Sequence, residues 1–253
     1  MPDFKPLYCY SFGESQRLEE TEKWRESFEE NLRCRDFIDR LVRENFDGKH
    51  IKGDIPQKVV AEFGFDRTRW VLANHIQLNK NDGRFNSANI EWASDIFIHR
   101  PAEWEMKKNP NLYDNNTSLL LDSHNVLVDY IAGKVQQMYS DLNLYDHRHC
   151  DMDSGDYKGN ILVLRDTSLN EAHRTPENQL FLAESGFGCS PTASGRAVFG
   201  RFLIDGEKTR FERSDFVGVI NNNHLPDWAR EKIAEIQNPT DEPEAQNGVM
   251  QMT

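Results

Sequence analysis

Four cysteines are scattered over 253 residues, at Cys9, Cys34, Cys150 and Cys189, and no two form a CxxC pair. That spacing supports neither a zinc finger nor the disulfide frame of a small secreted domain, and it fits reduced thiols. No apolar stretch approaches the roughly 18–20 residues that span a bilayer, so no membrane association is expected. Met1 to Ser11 lack the basic start and apolar run of a secretory signal, and a cytoplasmic protein is the expectation. Positive charge is also scarce: 30 Lys+Arg face 42 Asp+Glu, for a formal charge of −12. Such a surplus disfavours direct nucleic-acid binding. It favours a protein partner with a basic surface, such as the nucleic-acid groove of a nuclease. Neither a Gly-Lys-Ser/Thr phosphate loop nor a GxGxxG turn occurs where a nucleotide would need one.

What is present is ample material for a core, with 15 Phe, 5 Trp and 7 Tyr in a chain that is 38% apolar. The run from Ser15 to about Glu44 lacks Gly and Pro and spaces Trp24, Phe28 and Leu32 four apart, continuing through Ile38, Leu41 and Val42. This predicts a long amphipathic helix, closed near Gly48. Pro56–Phe63 and Asp66–Leu78 predict two further helices parted by Gly64, and Ser87 is placed to cap another at Ala88–Ile98. Residues 6–98 therefore read as a helical domain. Residues 99–123, with Pro101, Pro110 and several Asn, read as a linker or long loop.

His124–Leu142 again has helical spacing and is grouped with the second part, 124–236. Short apolar runs at Asn160–Leu164, Ala197–Leu203 and Phe216–Ile220 predict strands, Glu177–Ala183 a helix, and Leu225–Ile236 a terminal helix. The expected fold class is α+β: a helical N-terminal part followed by a small mixed α/β C-terminal part. Residues 237–253, rich in Pro, Glu and Gln, are expected to form a disordered tail.

Asp146-His147-Arg148-His149-Cys150-Asp151-Met152-Asp153 is the densest set of potential metal ligands. Neighbours in one short loop cannot all converge on a tetrahedral ion, and no second ligand pair follows, so no metal is expected. The segment from Glu184 to Arg196 has the most unusual composition, with three glycines, three serines and a cysteine around Phe187. Glycines let another backbone or a ligand approach closely, which makes Gly186, Phe187, Gly188, Cys189 and Arg196 candidate binding residues. Asp205 and Glu207 join them as nearby carboxylates. No catalytic residue is assigned, because Cys189 would need a base from His147, His149 or His173 and no local signature supplies one. Asp205-Gly206-Glu207 through Asp215 reads as a turn and a solvated charged segment. The candidate partner surface is the first long helix, through Glu19, Glu20, Glu22, Glu26, Glu29 and Glu30. No cofactor is implied.

Pro6-Leu7-Tyr8, Trp24-Arg25-Glu26-Ser27, Asn31, Cys34, Phe63-Gly64, Trp70-Val71-Leu72-Ala73-Asn74 and Asp82-Gly83-Arg84-Phe85 together resemble an uncharacterised domain. That domain is carried by conjugative elements and phages of anaerobic gut bacteria. The second half resembles a companion module. It does so through Arg174-Thr175-Pro176-Glu177-Asn178-Gln179-Leu180, Gly186-Phe187-Gly188-Cys189-Ser190-Pro191, Gly195-Arg196-Ala197-Val198-Phe199 and Asp205-Gly206-Glu207, with Glu184-Ser185 departing from the small residue and glycine expected before Gly186. The resemblance covers most of residues 6–236 and implies a mobile-element setting, with no activity to carry onto any residue. With the acidic charge, it leads us to expect a non-enzymatic binding protein that inhibits a host nucleic-acid-targeting defence complex, of anti-CRISPR or antirestriction type. Two alternatives remain open: an enzyme or ligand binder acting on nucleotides or nucleic acid through Gly186–Arg196, and an adaptor module for conjugation or replication proteins.

Overall fold

A computed structural model describes residues 4–96, 98, 107, 119–151 and 155–237. The chain divides into two compact units, with the boundary between Leu142 and Asn143.

The first unit is helical. Ser11 starts α1 (Phe12–Arg17) with a capping box: the Glu14 amide donates to Ser11 Oγ at 3.0 Å and the Ser11 amide donates to the Glu14 carboxylate at 3.1 Å. α2 spans Thr21–Asn45 and α3 spans Ile55–Leu78. The break expected at Gly64 is present as a kink, where Gly64 has φ 78° and ψ 169°, in the left-handed half of the map that glycine tolerates. α4 (Ser87–Asp95) is capped by Asn86, whose Oδ1 accepts from the Asn89 amide at 2.8 Å. Ser87 is thus the first helical residue rather than the cap.

α5 (Asn125–Ser140) corrects the expected domain boundary. Its Val128, Ile131, Ala132 and Val135 are completely buried in the same core as Ile38 of α2, Val71, Leu72 and Ile76 of α3, and Trp92 of α4. An apolar stripe shows that a helix must dock and is silent about where, so it was the packing that placed α5 here. The end of the expected linker is ordered against the same helices. Leu119 and Leu121 are buried, and the Asp39 carboxylate accepts from the backbone of Asp122 and Ser123, each at 2.9 Å. Residues 99–106 and 108–118 lie outside the described residues.

The second unit is built on a six-stranded antiparallel sheet in the order β1-β6-β2-β3-β4-β5. The strands are β1 Cys150–Asp151, β2 Ile161–Leu164, β3 Leu180–Ser185, β4 Ala197–Phe202, β5 Lys208–Glu212 and β6 Phe216–Ile220, and α6 spans Asp227–Gln237. The helix expected at Glu177–Ala183 is instead a single 3-10 turn, Glu177–Gln179, running into β3. Phe181 and Ala183 enter the core on one face, while Leu180 and Leu182 enter the other with α6. A strand covered on both faces reads as an unbroken apolar run, which periodicity cannot distinguish from helix. The charged segment before Phe216 is likewise the edge strand β5, in which Lys208, Arg210 and Glu212 are exposed while Thr209 and Phe211 turn inward. The Phe211 ring sits 5.4 Å from that of Phe181 and 5.8 Å from that of Phe202, within an aromatic cluster that also includes Phe216. Asn238–Thr253, the bulk of the expected tail, lies outside the described residues.

Candidate functional site

The glycine-rich segment between β3 and β4 is a pinned knuckle. Phe187–Cys189 form one 3-10 turn, closed by the Cys189 amide on the Gly186 carbonyl at 3.1 Å. Gly186 has φ 112°, and a β-carbon there would collide with the Ala197 carbonyl oxygen and stand 3.0 Å from a ring carbon of Phe199. At Gly188 a β-carbon would strike the Arg196 carbonyl, and at Gly195 it would stand 2.7 Å from Cβ of Phe187. Gly186 and Gly188 are therefore required by close backbone approach, and Gly195 by the Phe187 side chain. The expected ligand at this backbone is the chain itself.

Arg213 completes the clamp, and the sequence reading missed it. Its guanidinium donates to the carbonyls of Gly188 at 2.8 Å, Cys189 at 3.0 Å and Gly155 at 3.1 Å, and it lies 3.8 Å from the centre of the Tyr157 ring. Its amide also donates to the Arg196 carbonyl at 2.8 Å. An arginine fork satisfies several carbonyls at once while its flat face rests on an aromatic ring, so the side chain fixes the turn while the backbone amide holds the loop's far end at Arg196. Nothing in the charged run that contains Arg213 marks it apart from its neighbours, and only the return of β5 to the knuckle gives it this role.

Cys189 is buried beneath the turn, and its thiol donates to the Ser185 carbonyl at 3.2 Å. Burial, reinforced by Asp156 and opposed by Arg213 and Lys158, raises its pKa above the ordinary thiol value. It is protonated at neutral pH and serves the loop as a small packed donor rather than as a nucleophile.

What this scaffold presents is Phe187, 76% exposed, beside Phe199, 46% exposed. Arg196 is exposed on the same segment. Asp205 and Glu207 are elsewhere. They occupy the β4–β5 turn, where Asp205 accepts from the Glu207 amide at 2.9 Å, at the opposite end of β4 from the knuckle. Six strand residues at about 3.3 Å each set the two ends roughly 20 Å apart, so the candidate binding residues do not form one site.

The six glutamates of the helical unit also differ in role. Glu30 is buried and paired with Arg33 and Lys5, and Glu20 accepts from the Tyr8 hydroxyl at 3.0 Å and pairs with Lys23 at 2.6 Å. Glu22 is exposed and pairs with Arg25, while Glu19, Glu26 and Glu29 are exposed without an ion pair among the described residues. In the sheet unit, Asp146 is drawn down to about 2: burial acts to raise it and is outweighed by hydrogen bonds from Arg148 and His149. Among the described residues, no group of three or more His, Cys, Asp or Glu is placed to hold a metal ion, and Met152 and Asp153 fall outside them. No described helix is long and apolar enough to cross a membrane.

No curated protein and no solved structure matches the chain. A family model does match, and its span ends at the last residue of α5, which sets that helix with the N-terminal unit and leaves the knuckle beyond it. With residues 7–140 of 253 matched, the chain belongs to the family described as protein of unknown function DUF3849.

Proposed function

We propose that the protein acts by binding, and that the knuckle of its sheet unit makes the contact. The observation that carries this is Phe187: a phenyl ring left 76% exposed on a turn immobilised by three obligatory glycines and by Arg213. A lone exposed apolar side chain is ordinary, whereas a rigidly held one beside a second exposed ring has the features of a binding anchor. The rigid mount lowers the entropy lost when a partner docks. Replacing Phe187 by a photo-crosslinking phenylalanine analogue in the full chain, followed by irradiation in a host extract, tests this. A discrete crosslinked species, reduced when Phe199→Ala is added, is the expected result, and no crosslink above that of an analogue at exposed Leu18 overturns it.

A second reading is favoured by the exposed Glu22, Glu26 and Glu29 along α2. In it, the acidic helix engages a basic protein surface, such as the nucleic-acid groove of a host nuclease, within the life of a conjugative element or phage. Inhibition of such a nuclease should then be salt-sensitive and should fall when the three glutamates are changed to glutamine. Inhibition unchanged by those substitutions contradicts it.

A further inference from the structure

We infer that the partner of the knuckle is a single-stranded nucleic acid, laid across the open part of the sheet beside it; this rests on the binding reading above and names the chemical class. One face of the sheet is only partly covered. α6 packs Ala229, with Trp228 and Ile233, over Ile161, Val163, Leu180 and Ile220 on β2, β3 and β6. The same face continues onto β4 and β5. There Phe199 stands directly across from Arg210, and Arg201 across from Lys208, in the strand register. Phe199, Lys208 and Arg210 are exposed.

The charge on this stretch is balanced, unlike that of the whole chain, and three of its four cations are left without a paired carboxylate among the described residues. Arg196, Lys208 and Arg210 have no ion-pair partner among the described residues, and Arg201 is paired with Glu184. Glu212, across from Ala197, and Glu184 are the carboxylates set among them, and Asp205 and Glu207 sit on the turn beyond. The surplus of acid elsewhere is screened over roughly 8 Å at physiological ionic strength, so a strand lying on β4 and β5 meets the local cations first.

Exposed rings and unpaired cations on an antiparallel surface are suited to a strand whose bases stack and whose phosphates need neutralising. A protein partner would be served better by a contiguous apolar patch. Here the exposed apolar residues near the knuckle are two rings separated by charge, and the next, Ile204, lies past the far end of β4. The Phe199 ring lies against Gly186 and Phe187 follows it in the chain, so each ring offers a base a stacking surface without deforming the loop.

The test is fluorescence anisotropy of the full chain with labelled oligothymidylate and oligouridylate of about twelve nucleotides, a length within the span that such platforms cover. Saturable binding that weakens as salt rises is expected, and a preference between the two oligomers separates DNA from RNA as the source. Phe199→Ala and Phe187→Ala should each weaken binding about tenfold, in line with the loss of one stacked base. Arg210→Ala should reduce the salt slope by about one and act on both oligomers alike. Arg25→Ala on α2, with the same loss of charge, should leave binding unchanged. No binding at low salt, or binding that survives loss of both rings, overturns the inference. If the oligomers fail while the Phe187 crosslink yields a protein adduct, the nucleic-acid assignment falls and the binding reading stands; if both fail, both fall.

Discussion

In the helical unit buried side chains such as Arg67 tie distant segments together through hydrogen bonds, whereas in the sheet unit a cluster of aromatic rings joins the strands and two further phenylalanines are placed on the outside. Arg67 is completely enclosed and donates to the carbonyls of Ser27 at 2.8 Å and of Lys5 and Pro6 at 3.0 Å, and also to Asn31 Oδ1, fastening the N-terminal segment and α2 to α3. His75 and Asp39 do the same for residues 121–123. The sheet unit is joined by Phe181, Phe202, Phe211 and Phe216, and its two other phenylalanines, Phe187 and Phe199, are exposed. Buried polar ties fix segments in one arrangement because an unmet carbonyl or amide is costly. Exposed rings give up that stabilisation and remain available to a partner.

The largest effect that would break this contrast is loss of Arg67. Arg67→Ala leaves four acceptors without their donor and opens a cavity, and should cost about 3–4 kcal/mol. Urea unfolding followed by hydrogen exchange should place that loss in the helical unit alone. Gly188→Ala comes next. Its new methyl group meets the Arg196 carbonyl, so the knuckle must shift off β4, at about 2–3 kcal/mol in the sheet unit.

Acid should distinguish the two units without any substitution. His75 Nδ1 accepts the Leu121 amide and its Nε2 faces Asn125 Oδ1, so the buried ring is neutral; burial lowers its pKa, against smaller opposing effects from Asn125, Asp39 and Asp82. The folded helical unit thus takes up a proton less readily than the unfolded chain. Its stability should be full above pH of about 6.5 and decline as the pH falls below that value. Asp146 in the sheet unit has its folded pKa near 2, so its contribution is full above about 4 and is lost between there and about 2. Hydrogen exchange across a pH series should show the helical unit weakening first, and His75→Gln should flatten its slope. The smallest effect sharpens the comparison from the other side: Phe187→Ala should change stability by less than about 0.5 kcal/mol, since its ring is mostly in water.

Much of the helical unit was legible because helical periodicity is local and repeats over many turns. The Gly64 break and α4 stand within a few residues of where spacing and glycine placed them, whereas the helix expected from Ser15 is broken at 18–20, where Glu19 has φ 59°, into α1 and α2. The sheet unit was legible at β2, β4 and β6, while β3 was hidden by burial on both faces and β5 by its alternating charges. At the knuckle, composition singled out the segment and its glycines. It did not reveal Arg213 as the clamp, nor separate Asp205 and Glu207 from the site, because both depend on where β5 returns.

From its residues alone this chain was determined to be α+β, helical first and stranded second, since period and turn chemistry act between neighbours. Tertiary structure alone decided that α5 completes the helical core, that Arg67 and Arg213 are internal fasteners, and that Phe187 and Phe199 are left exposed. Those outcomes come from contacts between positions far apart in the chain, where the energy of closing the fold, rather than local preference, selects the partner.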